Sequence, residues 1–264
     1  MIKLIASDLD GTLLLPDGSL PEESFELIEL LHQKGVIFCV ASGRQYESLK
    51  RLFAPVADKV LFIAENGALV FYKGQQLFGE YLSVNYLSDI LSAVKRSGGY
   101  PLLCAAEYAY AEDDYLPFQK EYQKYYPNVK KLADLQTAPE LNAICKVAVF
   151  DERGSSEFSG KTLQNSLPSL RITVSGKVWT DISMPETNKG KAMAFIQEHF
   201  GFAKAECVAF GDYMNDLELL LACKHAYVTE NGFAPLKEKI QRVIPSNAER
   251  GVIKKIQQIL KELT

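Results

Sequence analysis

The segment IKLIASDLDGTLLL, residues 2–15, places a short apolar run directly before two aspartates, Asp8 and Asp10. Such a run is typical of a strand in a parallel sheet that is covered on both faces. Further runs of the same kind are VIFCVA from Val36, VLFIA from Val60 and CVAF from Cys207. These strands predict a doubly wound, Rossmann-like α/β sheet, in which ligands bind at the carboxyl ends of the strands.

Helical patterns separate the apolar runs. The segment PEESFELIELLHQKG, residues 21–35, begins with a proline and acidic residues, and Phe25, Ile28 and Leu31 recur at helical spacing before Gly35. This pattern predicts an amphipathic helix with a clear start and stop. Further predicted helices are Gln45–Phe53, Lys189–His199, Asp216–Cys223, Ala234–Gln241 and Val252–Leu263.

The middle of the chain has a different composition. Seven of the thirteen tyrosines fall between Tyr100 and Tyr126, and the strand-like pieces KVAVF and LRITV alternate with helical patterns. We therefore predict a core domain, residues 1–81 and 185–264, with an inserted α+β cap domain at 82–184. The tyrosines either line a pocket or pack against the cap's own sheet, and packing is the favoured interpretation for those between 122 and 126.

Composition excludes several classes of protein. The chain has 264 residues and a net charge of -4, without the basic face that a general nucleic-acid binder needs. No apolar run is long enough to cross a membrane, and no signal peptide is recognisable at the start. The five cysteines are scattered and form no CxxC pair, which argues against a disulfide framework or a zinc site. A cytoplasmic location is predicted.

Acidic residues follow two of the predicted strands. Asp8 and Asp10 follow the first, and Asp212 and Asp216 lie in GDYMND after CVAF. If the two strands are neighbours, these carboxylates converge and repel one another unless a cation neutralises them. Hard oxygen ligands select Mg²⁺ or Ca²⁺. The alternative, that Asp212 only caps the helix after it, is equally supported by GDYMND alone.

Candidate anion-binding groups follow other strands. ASGRQ places Ser42 and Gly43 after the second strand, where backbone N–H groups bind anions, although an ordinary turn with a serine N-cap is the alternative. Lys189 lies in the first turn of a predicted helix, in TNKGKAMAFI. A cation there opposes the helix dipole unless an anion shares the site. Lys191, two residues further, is interpreted as solvated.

Two motifs that resemble ion-binding or phosphate-binding loops fail on spacing. A calcium loop starting at Asp8 would need different residues at its fifth, sixth and twelfth positions, which hold Thr12, Leu13 and Ser19. The segment GSSEFSGKT, residues 154–162, has Ser155 where a P-loop requires glycine. Neither loop is predicted.

Taken together, DLDGT at Asp8, SGR at Ser42, NKG around Lys189 and GDYMND at Asp212 resemble the haloacid dehalogenase superfamily of phosphohydrolases. The order of the motifs is similar to that of the Cof-type branch, which carries a large inserted cap. ENGA at Glu65 and NAERGV near Asn247 are typical of the same branch. The resemblance covers essentially the whole chain.

The resemblance implies a role for each matching residue. Asp8 corresponds to a nucleophile that becomes an aspartyl-phosphate, and Asp10 to the general acid that protonates the leaving alcohol and later helps to activate water. The implied Mg²⁺ ligands are Asp8, the backbone carbonyl of Asp10 and Asp212. The implied phosphate-binding residues are Ser42, Gly43, Lys189 and Asn215, with Asp216 as a supporting carboxylate. Two departures are Tyr213, where a smaller or polar residue is more frequent, and TENGFA around Asn231.

The implied activity is that of a Mg²⁺-dependent phosphatase acting on a small phosphorylated metabolite. Hexose or pentose phosphates are favoured, with flavin mononucleotide and pyridoxal phosphate as further possibilities. A phosphomutase and a non-catalytic protein that binds phosphorylated metabolites are the alternatives. We expect a monomer or a weak homo-oligomer, without nucleic-acid or membrane partners.

Overall fold

The computed structural model describes residues 1–112 and 114–262; Asp113 of the tyrosine-rich segment and Leu263 of the last predicted helix lie outside them. The chain forms two compact units. Unit 1 comprises Met1–Ser42, Leu52–Phe78 and the chain from Asn188 onward, and unit 2 comprises Gly43–Arg51 and Gly79–Thr187. Unit 2 thus includes a short segment between two strands of unit 1 in addition to the middle of the chain.

The strands are β1 (Leu4–Ser7), β2 (Ile37–Ala41), β3 (Val60–Ala64), β4 (Leu69–Tyr72), β5 (Gln75–Gly79), β6 (Tyr100–Cys104), β7 (Ala109–Ala111), β8 (Val129–Lys131), β9 (Lys146–Phe150), β10 (Arg171–Val174), β11 (Trp179–Ser183), β12 (Cys207–Gly211), β13 (His225–Thr229) and β14 (Val243–Ile244). The α-helices are α1 (Ser24–Gln33), α2 (Tyr46–Leu52), α3 (Val84–Ser97), α4 (Leu116–Tyr122), α5 (Ser159–Ser166), α6 (Lys189–Phe200), α7 (Leu217–Ala222), α8 (Ala234–Ile240) and α9 (Gly251–Glu262). Among the described residues, no helix combines the length and the apolar character that a membrane crossing requires.

The sheet of unit 1 has the strand order β14-β13-β12-β1-β2-β3-β4-β5. From β14 to β3 all neighbouring strands are parallel. The chain adds β2 and β3 on one side of β1 and later adds β12, β13 and β14 on the other. The strand order therefore reverses between β1 and β12, and the carboxyl ends of strands at such a point form the usual ligand crevice of an open α/β sheet.

The predicted strands of unit 1 and the predicted helices are confirmed within the described residues, with ends that differ by at most three residues. The structure adds elements that the sequence analysis did not predict, among them β13 and an edge of the sheet formed by β4 and β5. β4 runs antiparallel to β3, so the sheet is parallel except at this edge. Lys73 and Gly74, with φ of 51° and 76°, form the two-residue turn from β4 to β5. Two central residues of positive φ match the twist of a hairpin.

The core of unit 1 is formed by apolar side chains of the sheet packed against helices α6 and α7. Cys39 of β2 and Cys207 of β12 are fully buried members of this core, as expected for thiols in apolar strands. All five cysteines are buried and reduced.

Unit 2 contains a second sheet, in the order β10-β11-β9-β6-β7-β8. Its neighbouring strands are antiparallel, except for the parallel pair β7 and β8. Alternate residues of β9, such as Val147 and Val149, pack against Ile90 and Val94 of α3 and Leu163 of α5. Because side chains alternate along a strand, the residues between them face the other side of the sheet.

That other side carries an aromatic cluster, which we define as Tyr100, Phe118, Tyr122, Phe150 and Trp179. Phe118 of α4 is fully buried, and its ring centroid lies 5.6 Å from Tyr100, 4.9 Å from Tyr122, 5.8 Å from Phe150 and 6.3 Å from Trp179. Tyr122 and Tyr126 are themselves buried, with 3% and 5% of their surface exposed. These two tyrosines pack within unit 2, in agreement with the favoured interpretation.

We expect Phe118→Ala to destabilise unit 2 strongly. Removal of a buried phenyl ring costs about 3–5 kcal/mol because the apolar burial is lost and a cavity remains. The only tryptophan of the chain, Trp179, belongs to the cluster, so its fluorescence during denaturation reports on this unit. The matched control is Leu116→Ala on the same helix, because Leu116 is 57% exposed. Equal shifts of the Trp179 transition in both variants would contradict the stabilising role of the cluster.

Candidate active site

Three carboxylates meet at the carboxyl ends of β1 and β12. The two strands pair in parallel with Ser7 opposite Phe210, and the backbone N–H of Asp8 donates to Phe210 O at 3.0 Å. This pairing brings Asp8 and Asp212 together directly after their strands. One carboxylate oxygen from each of Asp8, Asp212 and Asp216 lies within 4.8 Å of the others. The convergence predicted for neighbouring strands is confirmed for these three residues.

Lys189 places a positive charge inside this group. Its Nζ lies 2.6 Å from Asp8 Oδ1 and 2.6 Å from Asp216 Oδ1, and its side chain is fully buried. Burial disfavours the ammonium, but the carboxylates of Asp216 and Asp8 outweigh burial and hold the pKa of Lys189 above its ordinary value. Lys189 is therefore charged in the folded protein, and its position in the first turn of α6 is stabilised by the carboxylates.

Asp216 is held by the protein through both of its oxygens. Oδ1 accepts from Lys189, while Oδ2 accepts from the backbone N–H groups of Asp212 and Tyr213, at 3.0 and 3.2 Å. A carboxylate with both oxygens so engaged fixes the geometry of its neighbours. This geometry is consistent with the prediction that Asp216 is a supporting carboxylate. Asp8 and Asp212 are the better candidates for metal ligands.

The remaining charges of the cluster repel one another. Burial, followed by repulsion from Asp216, raises the pKa of Asp8 well above its ordinary range. The same two causes, in the same order, raise the pKa of Asp212 to about 6, although the Thr12 hydroxyl donates to Asp212 Oδ1 at 2.9 Å. One lysine thus balances only part of the negative charge. An oxygen-only cluster with excess negative charge suits a hard divalent cation such as Mg²⁺.

Asp10 is exposed, whereas Asp8 and Asp216 are buried. It belongs to a single wide turn, Leu9–Leu13, that is closed by Leu14 N donating to Leu9 O at 2.9 Å, and its residue surface is exposed. Gly11 follows with φ of 84°, and a Cβ at this position would collide with the carboxylate of Asp212. Glycine is therefore required both by the backbone and by the close approach of the turn to Asp212.

The predicted phosphate-binding residues are distributed over both units. In unit 1, Ser42 is buried directly after β2, with its N–H donating to Ile63 O at 2.9 Å. Asn215 is half-buried in the turn after Asp212, and its Nδ2 donates to Asn66 Oδ1 at 3.3 Å. Gly43 is the first residue of unit 2, and its place in a phosphate site remains a prediction.

Sequence reasoning missed the lysine that holds the Gly43 segment inside unit 2. Lys146 Nζ donates to Gly43 O at 2.9 Å and to Asp181 Oδ2 at 3.1 Å, and both side chains are buried. The position of a polar residue at the start of the apolar strand KVAVF was the available signal. An unpaired lysine is costly in such a place, so a partner was required.

Sequence reasoning also assigned no contact to the asparagines that hold the Asp10 turn. Asn231 Nδ2 donates to Gly11 O at 2.7 Å, and Asn247 Nδ2 donates to Leu14 O at 2.8 Å. The two asparagines are linked to each other, because Asn247 N donates to Asn231 Oδ1 at 3.0 Å. Both asparagines lie in segments noted in the sequence, TENGFA and NAERGV. These hydrogen bonds show what the two segments do in the structure: they hold the backbone of the turn that carries Asp10.

Tyr213, the departure noted beside Asp212, is 46% exposed and packs against Phe233 with ring centroids 5.0 Å apart. Phe233 N donates to Asp212 O at 2.7 Å. The two aromatic residues therefore cover the backbone of Asp212 and leave its carboxylate in the cluster.

Comparisons with known proteins agree with this geometry. The sequence profile of the haloacid dehalogenase-like hydrolase family matches residues 5–256. The HMP-PP phosphatase of Cronobacter sakazakii is 29% identical over 244 residues, which are 89% of this chain and 87% of that protein. The 5-amino-6-(5-phospho-D-ribitylamino)uracil phosphatase YbjI of Escherichia coli is 26% identical over 264 residues, 98% of this chain and 97% of that protein.

A solved structure is similar over the same length. SMU.1108c from Streptococcus mutans superposes with a TM-score of 0.89 at 25% identity, and the alignment covers 99% of this chain and 100% of that chain. The likeness therefore extends over the sequences of both units.

We expect Asp212→Asn to stabilise the metal-free protein near neutral pH. Since the folded state raises the pKa of Asp212 from 3.8 to about 6, its ionisation lowers the free energy of unfolding as pH rises through that interval. The loss is on the order of 1–3 kcal/mol. Denaturation of wild type and variant in EDTA, at several pH values between about 4 and 7, measures the difference.

The difference between the two proteins should grow with pH in EDTA, because only the wild type has an Asp212 carboxylate that ionises. Asp89→Asn, at an exposed position of α3, is the matched control for removal of one negative charge. A pH-independent difference between wild type and Asp212→Asn would contradict the repulsion argument.

Proposed function

Because the chain belongs to the haloacid dehalogenase-like hydrolase family, we propose that it is a Mg²⁺-dependent phosphatase that hydrolyses small phosphate monoesters through an aspartyl-phosphate. One observation carries the proposal: Asp8, Asp212, Asp216 and the ammonium of Lys189 form a single cluster at the crevice of the unit 1 sheet. Phosphoryl transfer depends chiefly on positioning and charge neutralisation, which such a cluster supplies.

The proposed reaction has two steps. Asp8 attacks phosphorus and forms a new P–O bond, while the bond from phosphorus to the ester oxygen breaks and Asp10 gives that oxygen its proton. Asp10, now ionised, then accepts a proton from water as the water oxygen attacks phosphorus. The bond from phosphorus to the Asp8 oxygen breaks, inorganic phosphate leaves, and both the Asp8 carboxylate and the protonated Asp10 are restored. The exposure of Asp10 supports this role, since a general acid must reach the leaving group and solvent.

The donor set fits Mg²⁺. Asp8 and Asp212 are the proposed carboxylate ligands, with the backbone carbonyl of Asp10 as a third, and Asp216 acts through Lys189 and the backbone. When bound, the ion would neutralise the carboxylates and the phosphate enough for Asp8 to approach phosphorus. The Lys189 ammonium opposes part of the rise in the pKa of Asp8 and orients its carboxylate through the hydrogen bond to Oδ1. Ser42, Gly43 and Asn215 are the further groups proposed to hold the phosphate.

The proposed substrate is a small phosphorylated metabolite. Sugar phosphates remain the favoured group, and flavin mononucleotide and pyridoxal phosphate belong in the same screen. The relatives support this class, since they are named as phosphatases of HMP-PP and of 5-amino-6-(5-phospho-D-ribitylamino)uracil. These two compounds should therefore be added to the panel, and the preferred substrate is the one with the highest kcat/KM.

Two alternatives differ in observable products. A phosphomutase would use the same nucleophile but return the phosphoryl group to a sugar, so it would release little inorganic phosphate and would need a bisphosphate activator. A non-catalytic protein would bind phosphorylated metabolites without turnover. The intact set of Asp8, Asp10 and Lys189 favours a phosphatase over a binding protein.

We expect Asp8→Asn to lose Mg²⁺-dependent hydrolysis of p-nitrophenyl phosphate, with kcat lower by at least about 10³-fold. An amide cannot act as the nucleophile that forms the aspartyl-phosphate. Release of p-nitrophenolate is measured with and without Mg²⁺, and Asp89→Asn serves as the control of equal charge change. If wild type and Asp8→Asn are equally active, or equally inactive at high enzyme concentration, the nucleophile assignment is wrong.

We expect Asp10→Asn to reduce kcat/KM more for a sugar phosphate than for p-nitrophenyl phosphate. The alkoxide of a sugar must be protonated as it leaves, and general acid catalysis raises the rate of such a step by about 10²–10⁴-fold. p-Nitrophenolate is a good leaving group and needs no such protonation. The Mg²⁺ concentration for half-maximal activation should change little, because only a backbone carbonyl of Asp10 is proposed to bind the ion. Equal losses with both substrates, or a large loss of Mg²⁺ affinity, would contradict this assignment.

A further inference from the structure

The turn Glu65–Asn66–Gly67, directly after β3, has an uncommon backbone. All three residues have positive φ, of 52°, 56° and 101°. Glycine adopts this conformation freely and asparagine tolerates it, but a fully buried Glu65 does so at a cost in energy. Strained backbone of this kind persists only where the surroundings hold it, and it concentrates at functional sites.

Asn66 makes two hydrogen bonds to segments that carry proposed phosphate-binding residues. Its backbone N–H donates to Ser42 O at 3.0 Å, so the turn is joined to the end of β2. Its side-chain Oδ1 accepts from Asn215 Nδ2 at 3.3 Å, so the turn is also joined to the loop after β12. The two partners are remote in sequence from each other, and Asn66 bonds to both.

Gly67 brings the same turn against the start of α6. A Cβ on Gly67 would collide with Asn188 O and would lie 2.7 Å from Lys189 N. Only glycine permits this approach. The turn therefore contacts three segments, those of Ser42 and Lys189 through its backbone and that of Asn215 through the Asn66 side chain.

We propose that Asn66 is a positioning residue for the phosphate site, acting through Asn215; this inference rests on the proposed phosphatase function. A side-chain amide has one donating and one accepting end, and a fixed acceptor selects one of its two flipped orientations. Asn66 Oδ1 supplies that acceptor to Asn215. Without it, Asn215 loses its preferred orientation, and phosphate binding weakens while the Asp8, Asp212 and Lys189 cluster stays in place.

The test is a double-mutant cycle with Asn66→Gly, Asn215→Ala and the combination of both. Glycine keeps the positive φ of the turn and removes only the side chain, so backbone strain does not increase. The readouts are kcat/KM with p-nitrophenyl phosphate and the inhibition constant of inorganic phosphate in the presence of Mg²⁺. The matched control is Lys73→Gly, which makes the same kind of change at another residue of positive φ, in the exposed turn between β4 and β5.

We expect Asn66→Gly to weaken inhibition by phosphate and to lower kcat/KM, each by about 10-fold, the effect of roughly one hydrogen bond to an oriented group. The Mg²⁺ concentration for half-maximal activation should stay within about twofold of wild type, and the double variant should be no worse than Asn215→Ala. Lys73→Gly should match wild type.

The proposal would be overturned if the losses of the two single variants in kcat/KM multiplied in the double variant. It would also be overturned if inorganic phosphate inhibited Asn66→Gly as strongly as wild type. A purely structural role would lower stability and Mg²⁺ activation together, which the control measurements detect. Failure of the proposed function is a separate result, because it appears as a wild type without Mg²⁺-dependent turnover. In that case the same cycle, measured as binding of inorganic phosphate by calorimetry, still decides whether Asn66 acts through Asn215.

Discussion

The arrangement of unit 1 depends on one buried interaction, the Lys189 ammonium between the carboxylates of Asp8 and Asp216. A lysine or an aspartate alone at this depth would be too costly to keep charged. Each charge offsets the cost of burying the others. Side chains from the turn after β1, from α6 and from the loop after β12 must therefore all be present for any of them to stay charged there. The ion pairs also leave the cluster with net negative charge. This excess of carboxylates is the reason why the cluster suits a cation.

The sheet topology explains why these charges meet where they do. The reversal of strand order between β1 and β12 opens a crevice at their carboxyl ends. Within the described strands of the unit 1 sheet, no other neighbouring pair has connections that leave to opposite sides. The chain covers about 200 residues of sequence between Asp8 and Asp212, yet a single step across the sheet separates them. The antiparallel edge at β4 and β5 lies away from this crevice and does not disturb it.

Much of unit 1 and of its site could be predicted because local patterns decide them. Apolar runs indicated the parallel strands, motifs after those strands indicated Asp8 and Asp212, and a motif at the start of a helix indicated Lys189. The contacts of Asn66, Asn231 and Asn247 could not be predicted, because each joins backbone groups that are distant in sequence and leaves no periodic pattern. The Lys146–Asp181 ion pair could not be predicted from the sequence for a related reason. A lysine at the edge of an apolar strand signals a partner without indicating which one, and only the pairing of β9 with β11 supplies it.

Because unit 2 is formed by two separate segments of the chain, recombination between related proteins is constrained. Its short segment Gly43–Arg51 makes three hydrogen bonds to the middle segment. Gly43 O accepts from Lys146 Nζ, Gln45 Nε2 donates to Ala105 O at 3.0 Å, and Arg51 donates to Asn128 Oδ1 at 3.0 Å. A recombination that replaced only the long middle segment with that of a relative would remove the present partners of these three groups, of which Lys146 and Ala105 are buried. Unit 2 is therefore not formed by one continuous segment of the chain. Replacement of unit 2 by that of a relative therefore has to include both segments.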